Sequence, residues 1–310
     1  MKLFDAHVHI IPREIAAGYC DERYHITREH YGKIKTSSGY EMQLMPPYFE
    51  DSTFNADTLI ETMNFNHVDK AAIMQGFCFP MNEAVARAVA SYPDRLIGAM
   101  VLDLNSNNIS ELEYWKQRGL SIVKFEMSEG MGFCSRYAYP NFSFVDDGVV
   151  ALFKKAEELN LTITIDPSRI MGPGYQVANL EYLAKTFPSL HMVICHLGVP
   201  NEHMKENLEM FDTWKKMISL AQYDNVWFDI SALPALFKSN DYPFSKAIGY
   251  VKYFKEQYGT QKLIWGSDIP GTLLNATYTQ MVDMFSIDDL ITEEEKVFVF
   301  SANAEKAYRF

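Results

Sequence analysis

The chain has 310 residues, 48% of them hydrophobic and 22% charged, with a formal net charge of −12, the composition of a globular chain with room for one large domain or two ordinary ones. The acidic balance opposes nucleic-acid backbones and anionic membranes, and Lys and Arg are scattered along the chain, so neither is expected as a partner. No stretch approaches the roughly 18 uninterrupted apolar residues of a membrane span, and Asp5 interrupts what would otherwise begin a signal-peptide hydrophobic region, which points to a cytoplasmic protein.

The first element is a strand through Asp5-Ala6-His7-Val8-His9-Ile10. Strand side chains alternate faces, so His7 and His9 point the same way with Cα atoms about 6.6 Å apart, close enough for both rings to reach one ion. Two imidazoles completed by carboxylates suit Zn²⁺, Mn²⁺ or Fe²⁺. An isolated pair of this kind is more often a pair of surface or core histidines, so the other ligands must be found elsewhere. Residues 11–55 follow as a long irregular stretch that reads as an insertion and a candidate lid, with Tyr40, Tyr48 and Phe49 available to cover a cyclic substrate.

From Asp57, read as an N-cap, the rhythm becomes regular. Helix Thr58 to Asn66 precedes strand Ala71 to Met74, helix Asn82 to Ser91 precedes strand Leu96 to Leu104, and helix Ser110 to Gln117 precedes strand Ser121 to Glu126. Helix Asp147 to Leu159 leads to strand Leu161 to Pro167, helix Gln176 to Phe187 to strand His191 to Gly198, and helix Lys205 to Gln222 to strand Val226 to Ser231. Helix Ser245 to Tyr258 precedes strand Lys262 to Pro270, and helices Tyr278 to Phe285 and Thr292 to Tyr308 close the chain. About eight apolar strands, each followed by a helix, imply a parallel sheet covered on its faces, and the number favours a closed (β/α)₈ TIM barrel as a single domain over 1–310. No Gly-x-Gly-x-x-Gly turn follows a strand, which argues against a dinucleotide-binding sheet. Cys20, Cys78, Cys134 and Cys195 show no paired spacing and read as reduced thiols, with Cys195 a packing residue facing away from His196.

In such a barrel the active site lies at the C-terminal ends of the strands. Strand one ends in His7 and His9, strand four in Lys124 and Glu126, strand five in Asp166, strand six in His196, strand seven in Asp229 and strand eight in Asp268. Buried unpaired charge costs several kcal/mol, so this many ionisable groups in a barrel mouth call for a shared ion or substrate. Lys124 and Glu126 share strand parity and could instead form an ion pair. Asp229 suits a hydrogen bond to a ligand histidine. Arg13, Arg136 and Arg169 lie in loops after strands one, four and five, where one could hold a substrate carboxylate. His25, His30 and His203 are weaker candidates on loops.

Asp5-Ala6-His7-Val8-His9, Cys195-His196-Leu197-Gly198, Gly266-Ser267-Asp268-Ile269-Pro270 and Asn303-Ala304 resemble the amidohydrolase superfamily over essentially the whole chain. More narrowly they resemble its amidohydrolase-related branch, which includes aminocarboxymuconate semialdehyde decarboxylase, resorcylate-type decarboxylases and pyrone dicarboxylate lactonase. The resemblance makes His7 and His9 metal ligands, His196 a ligand or acid/base, and Asp268 a ligand that also takes a proton from water. The branch usually carries a His at the end of strand five, where this chain has Asp166; an Asp oxygen there can retain the metal or weaken its binding. Lys124 matches a common strand-four lysine of the branch.

These residues set the expectation. One divalent ion, Zn²⁺ in preference to Mn²⁺, is held by His7, His9, Asp166, His196 and Asp268. Asp268, His196 and Glu126 are the catalytic candidates, and Lys124, Arg13, Arg136 and Arg169 the substrate-binding ones. The expected reaction is metal-dependent hydrolysis of an ester, lactone or amide in a small carboxylated or cyclic substrate. The alternatives are non-oxidative decarboxylation of an unsaturated or aromatic acid, and a barrel that only binds. A homodimer is suggested by the resemblance alone.

Overall fold

The computed structural model describes residues 1–13, 26–36, 41–76, 81–104, 109–130, 132–136, 138–237 and 241–310. The chain opens with β1 (Phe4–Val8) and then leaves the barrel for a small antiparallel sheet of β2 (Ile26–Arg28), β3 (Lys33–Thr36) and β4 (Glu41–Gln43). The segment expected as an irregular insertion therefore carries secondary structure of its own. It is tied at its base by an Ile11–Phe54 bridge and buries Ile34, Met45 and Phe54. Its tight turn depends on Gly32: φ is +75°, and a Cβ there would lie 2.2 Å from the Met45 carbonyl oxygen, so no other residue fits.

After α1 (Ala56–Phe65) the chain alternates strand and helix: β5 (Lys70–Ile73), α2 (Asn82–Ser91), β6 (Leu96–Met100), α3 (Ser110–Gln117), β7 (Leu120–Glu126), α4 (Asp147–Glu158), β8 (Thr162–Asp166) and α5 (Val177–Thr186). It continues through β9 (His191–Ile194), α6 (Leu208–Ile218), β10 (Val226–Asp229), α7 (Leu233–Leu236), α8 (Ser245–Tyr258) and β11 (Leu263–Ile264). The eight parallel strands lie side by side in the order β1-β5-β6-β7-β8-β9-β10-β11. Hydrogen bonds from Ala6 N–H to Trp265 O (3.1 Å), Asp268 N–H to His7 O (2.7 Å) and His9 N–H to Ile269 O (2.7 Å) join the last strand region to the first. The result is the expected (β/α)₈ barrel.

Helices pack on the strands through apolar stripes at helical spacing. In α4, Val149, Leu152, Phe153 and Ala156 are buried, an i, i+3, i+4, i+7 pattern, and each large member contributes about 1.5–3 kcal/mol by leaving water. The final helix, α11 (Asn303–Tyr308), follows α9 (Tyr278–Asp283), α10 (Glu293–Val297) and a π-helical turn, Phe298–Ala302. Ala304, Ala307 and Tyr308 pack with Phe4, Ile97, Trp227 and Ile264 in the barrel interior, while Asn303 donates to the carbonyls of Thr260 and Leu263, both at 2.8 Å. This closes the N-terminal end, so the opposite mouth is the one free to bind. None of the described helices is long and apolar enough to cross a membrane.

Several boundaries differ from those read in the sequence. The N-cap of α1 is Asn55, whose side chain accepts from Thr58 N–H at 2.9 Å, while Asp57 sits in the first turn, where its charge favours the helix dipole. Helix α6 starts at Leu208, capped by Asn207. The sixth barrel strand stops at Ile194 instead of running to Gly198, because His196, Leu197, Gly198 and Val199 all take positive φ and turn the chain away.

Candidate metal centre and active site

The arrangement of the site begins with an irregularity in β1. Phe4 pairs with Lys70 and Asp5 with Ala71, but Val8 pairs with Ile73, so one extra residue is accommodated between Asp5 and Val8. Phe4 and Ala6 pack in the interior cluster, and the bulge re-aims the chain so that His7 also meets interior groups. Asp5 stays behind the site, accepting from Ser267 N–H (2.8 Å), from His7 N–H (3.3 Å) and from the Tyr278 hydroxyl. It thereby pins the turn that carries Asp268.

His7 and His9 do face the same way, with ring centroids 5.1 Å apart. His7 Nδ1 donates to Asp229 Oδ2 at 3.1 Å and His9 Nδ1 to the Met74 carbonyl at 3.1 Å, which leaves Nε2 of each ring as the lone-pair nitrogen. Both Nε2 atoms approach Asp268 Oδ1, at 3.7 Å from His7 and 2.9 Å from His9. His7 Nε2 is buried and has no hydrogen-bond partner, a cost that a bound cation would remove. Two neutral nitrogens and a carboxylate oxygen converging on one point fit a divalent ion of the zinc type. Burial brings His7 down to about 4, outweighing the Asp229 charge, so its imidazole is neutral as a ligand requires. Burial raises Asp268, but the histidines around it outweigh that and hold the carboxyl below its usual range. Asp268 itself has φ +60°, a strained backbone of the kind concentrated at functional sites.

Asp229 supports both sides of the mouth. Besides His7, its carboxylate accepts from His196 N–H (2.8 Å), Ser231 N–H (3.1 Å) and the Ser231 hydroxyl. Because that hydroxyl donates to Asp229, its oxygen accepts from His196 Nδ1, 2.8 Å away. His196 Nε2 faces Asp166 Oδ2 at 3.3 Å, and Asp166 Oδ1 accepts from Ser168 N–H at 2.8 Å. Burial lowers the His196 pKa, but Asp166, Asp229 and Asp268 outweigh it and raise it to about 9, making the ring a proton donor at neutral pH. Its ring lies 4.8 Å from that of His7.

Glu126 stands beside Asp166 in the ladder, and its Oε1 accepts from Ser128 N–H at 3.1 Å. Burial, reinforced by Asp166, raises its pKa to about 8. Of the two readings left open for this pair, a direct ion pair is not formed: the buried Lys124 ammonium donates to Cys195 Sγ at 3.2 Å, while its charge still acts on Glu126. Cys195 accordingly points into the barrel, since the left-handed turn at His196 breaks the strand alternation on which its outward placement was based.

The structure thus brings together His7, His9, Asp268, His196, Asp166, Glu126 and Asp229. The convergence at Asp268 is formed with His7 and His9, whereas Asp166 meets the site through His196. Lys124 is buried against Cys195, and two of the arginines are taken up on the surface, Arg13 by Asp51 and Arg169 by Glu129, while Arg136 is exposed. His30 and His203 are exposed, Tyr48 is exposed, and Phe49 packs on Phe54; His25 and Tyr40 lie outside the described residues. Ser231, Ser128 and the Met74 carbonyl were not anticipated. Ser231 follows Asp229 by two residues, the spacing of a side chain bonding to nearby backbone, and that was its one signal in the sequence. A cavity of about 260 Å³ opens onto the centre, lined by His9, Asp268, Glu126 and Ser128 and by Ile11, Leu44, Met81 and Pro270. Ile11 and Leu44 bring the inserted segment into its wall.

Comparison with solved structures finds the same fold in several proteins. One from Acinetobacter baumannii, described as a probable 2-pyrone-4,6-dicarboxylic acid hydrolase with citric acid bound, is 19% identical over 100% of both chains, with a TM-score of 0.74. A zinc-bound amidohydrolase of Burkholderia multivorans is 13% identical over 100% of both chains, at 0.72. The 5-carboxyvanillate decarboxylase of Sphingomonas paucimobilis is 17% identical over 81% of this chain and 82% of its own, at 0.56. A search of the curated proteins finds no significant match. The amidohydrolase family model, however, matches residues 4–310, and with the barrel and the histidine–aspartate centre at its mouth this chain belongs to the amidohydrolase family.

Proposed function

We infer that this protein is a cytoplasmic metal-dependent hydrolase that opens an ester, lactone or amide bond in a small molecule, with one divalent ion held by His7, His9 and Asp268. The observation that carries this reading is the convergence of His7 Nε2, His9 Nε2 and Asp268 Oδ1 beside the cavity, with the first atom buried and unpartnered. A nitrogen-rich set with one carboxylate favours Zn²⁺ over Mn²⁺. Such an ion supplies Lewis acidity, turning water into a nucleophile at neutral pH and polarising the substrate carbonyl. Asp268, ionised because its carboxyl lies below the usual range, would be the group placed to accept a proton from water at such an ion. His196, held by Ser231 and Asp166, stands ready to deliver a proton to the leaving oxygen or nitrogen. Ile11, Leu44, Met81 and Pro270 shield the reaction from bulk water.

Decarboxylation is the second reading, and Glu126 is the observation in its favour: a carboxyl that burial raises to about 8 lines the cavity and keeps a proton for carbon at neutral pH. The two separate by experiment. Alkali uptake during turnover of a panel of lactones and esters by the zinc-loaded protein supports hydrolysis. CO₂ release from an aromatic acid panel, lost as pH rises through about 8, supports the alternative. Absence of metal after zinc loading and dialysis sinks both.

A further inference from the structure

Beneath the His7–His9–Asp268 convergence lies a second cluster of metal-binding atoms. A ring nitrogen of His7, Cys195 Sγ and a ring nitrogen of His196 all lie within 4.8 Å of one another, and all three residues are buried, whereas His9 and Asp268 are partly exposed. In each of the two rings Nδ1 is engaged, by Asp229 in His7 and by Ser231 in His196, so the convergent nitrogens are the two Nε2 atoms. His7 Nε2 is the buried atom without a hydrogen-bond partner. It is common to the inner and outer clusters, and its single lone pair serves one ion at a time. Zinc–sulfur and zinc–nitrogen bonds of about 2.3 and 2.0–2.1 Å span at most about 4.4 Å between ligand atoms, so small side-chain shifts close the inner set. The surrounding charge admits a cation: Asp229 and Asp166 act on Cys195, and both act with Asp268 on His196. The Lys124 ammonium opposes them, but it donates to Cys195 Sγ at 3.2 Å, a contact that favours the thiolate, the form that ligates. On binding, the sulfur and the two nitrogens each give an electron pair to the ion, and the thiol proton and the proton on His196 Nε2 leave to solvent. The two clusters differ in softness. Two nitrogens and a carboxylate suit a borderline ion, while a thiolate beside an ammonium favours an ion that gains most from sulfur, so zinc keeps the outer position.

We propose that His7, Cys195 and His196 form a second metal seat, selective for thiophilic ions such as Cd²⁺, and that it and the His7–His9–Asp268 seat exclude one another because they share His7. The inference goes beyond the hydrolase reading and takes from it only the outer seat. The test titrates cadmium chloride into metal-free and zinc-loaded protein, recording the ultraviolet sulfur-to-cadmium charge-transfer absorption and, with a zinc-sensitive dye, the zinc released. The unaltered chain is expected to take up Cd²⁺ with a charge-transfer band and to release its zinc ion for ion. His9→Ala, which breaks only the outer seat, is expected to keep the band. Cys195→Ser, which leaves Cys20, Cys78 and Cys134 in place, is expected to lose it and to weaken Cd²⁺ binding by more than the roughly 10- to 100-fold that follows loss of a group behind a ligand. Circular dichroism checks that both variants are folded. Cd²⁺ bound without the band, a band that survives Cys195→Ser or vanishes in folded His9→Ala, or zinc retained beside Cd²⁺ would overturn the proposal. If zinc binds and no band appears, the inner seat falls and the hydrolase reading stands. If the band appears in a protein that takes up no zinc, the zinc centre of the hydrolase reading is what falls.

Discussion

The two sides of the barrel mouth satisfy their polar atoms in different ways. On the β1–β11 side, Asp229 and the Met74 carbonyl hold the outer nitrogens of His7 and His9, which points both inner nitrogens at Asp268 and leaves one of them buried without a partner. On the β7–β9 side the groups answer one another: His196 lies between Ser231 and Asp166, Asp166 is bonded to Ser168, and Lys124 rests on Cys195. The first side is shaped to face a cation, the second to hold protons in defined places. Asp229 is the residue common to both.

The sharpest way to break this contrast is on the metal side. Asp268→Asn or His7→Ala is expected to lower kcat/KM by at least about a thousandfold and to abolish stoichiometric zinc while the barrel stays folded. Elemental analysis with a melting curve checks it, and near-normal kcat in folded Asp268→Asn would remove that residue from its role. Asp229→Asn should damage both sides at once, weakening zinc about 10- to 100-fold, as loss of a carboxylate behind a ligand histidine does; a competition titration with a chelator measures it, and unchanged affinity would detach Asp229 from the centre. His196→Gln separates the sides: kcat is expected to fall about a hundredfold or more with zinc retained, and loss of zinc instead would make His196 chiefly a ligand. The smallest effect should come from Ser231→Ala, with kcat down by about tenfold, KM little changed and partial rescue by Ser231→Thr, since the change leaves His196 Nδ1–H without its acceptor.

Much of this architecture was legible because strands covered on both faces must read as apolar runs, so Ile163, Ile165, Val193 and Ile194 mark their strands and Asp166 stands out at a strand end. The carboxylates and histidines at the strand tips identified the mouth for the same reason. The arginines were less legible. A loop position says which end of the barrel a residue occupies but not which way a long side chain turns, and Arg13 and Arg169 found partners on the surface. The course of Cys195 to Val199 was also hidden, since an apolar run gives no sign of a left-handed turn when only Gly198 in it is a glycine.

The sequence by itself determined the barrel, its insertion after the first strand and the set of groups at its mouth, because burial periodicity and chain order are local properties. Only the tertiary structure decided which of those groups meet. The bulge in β1, the left-handed turns at His196 and Asp268, and the hydrogen bonds joining the Asp268 turn to β1 set the aim of each side chain. These depend on contacts between residues some 260 positions apart, and no local pattern encodes them.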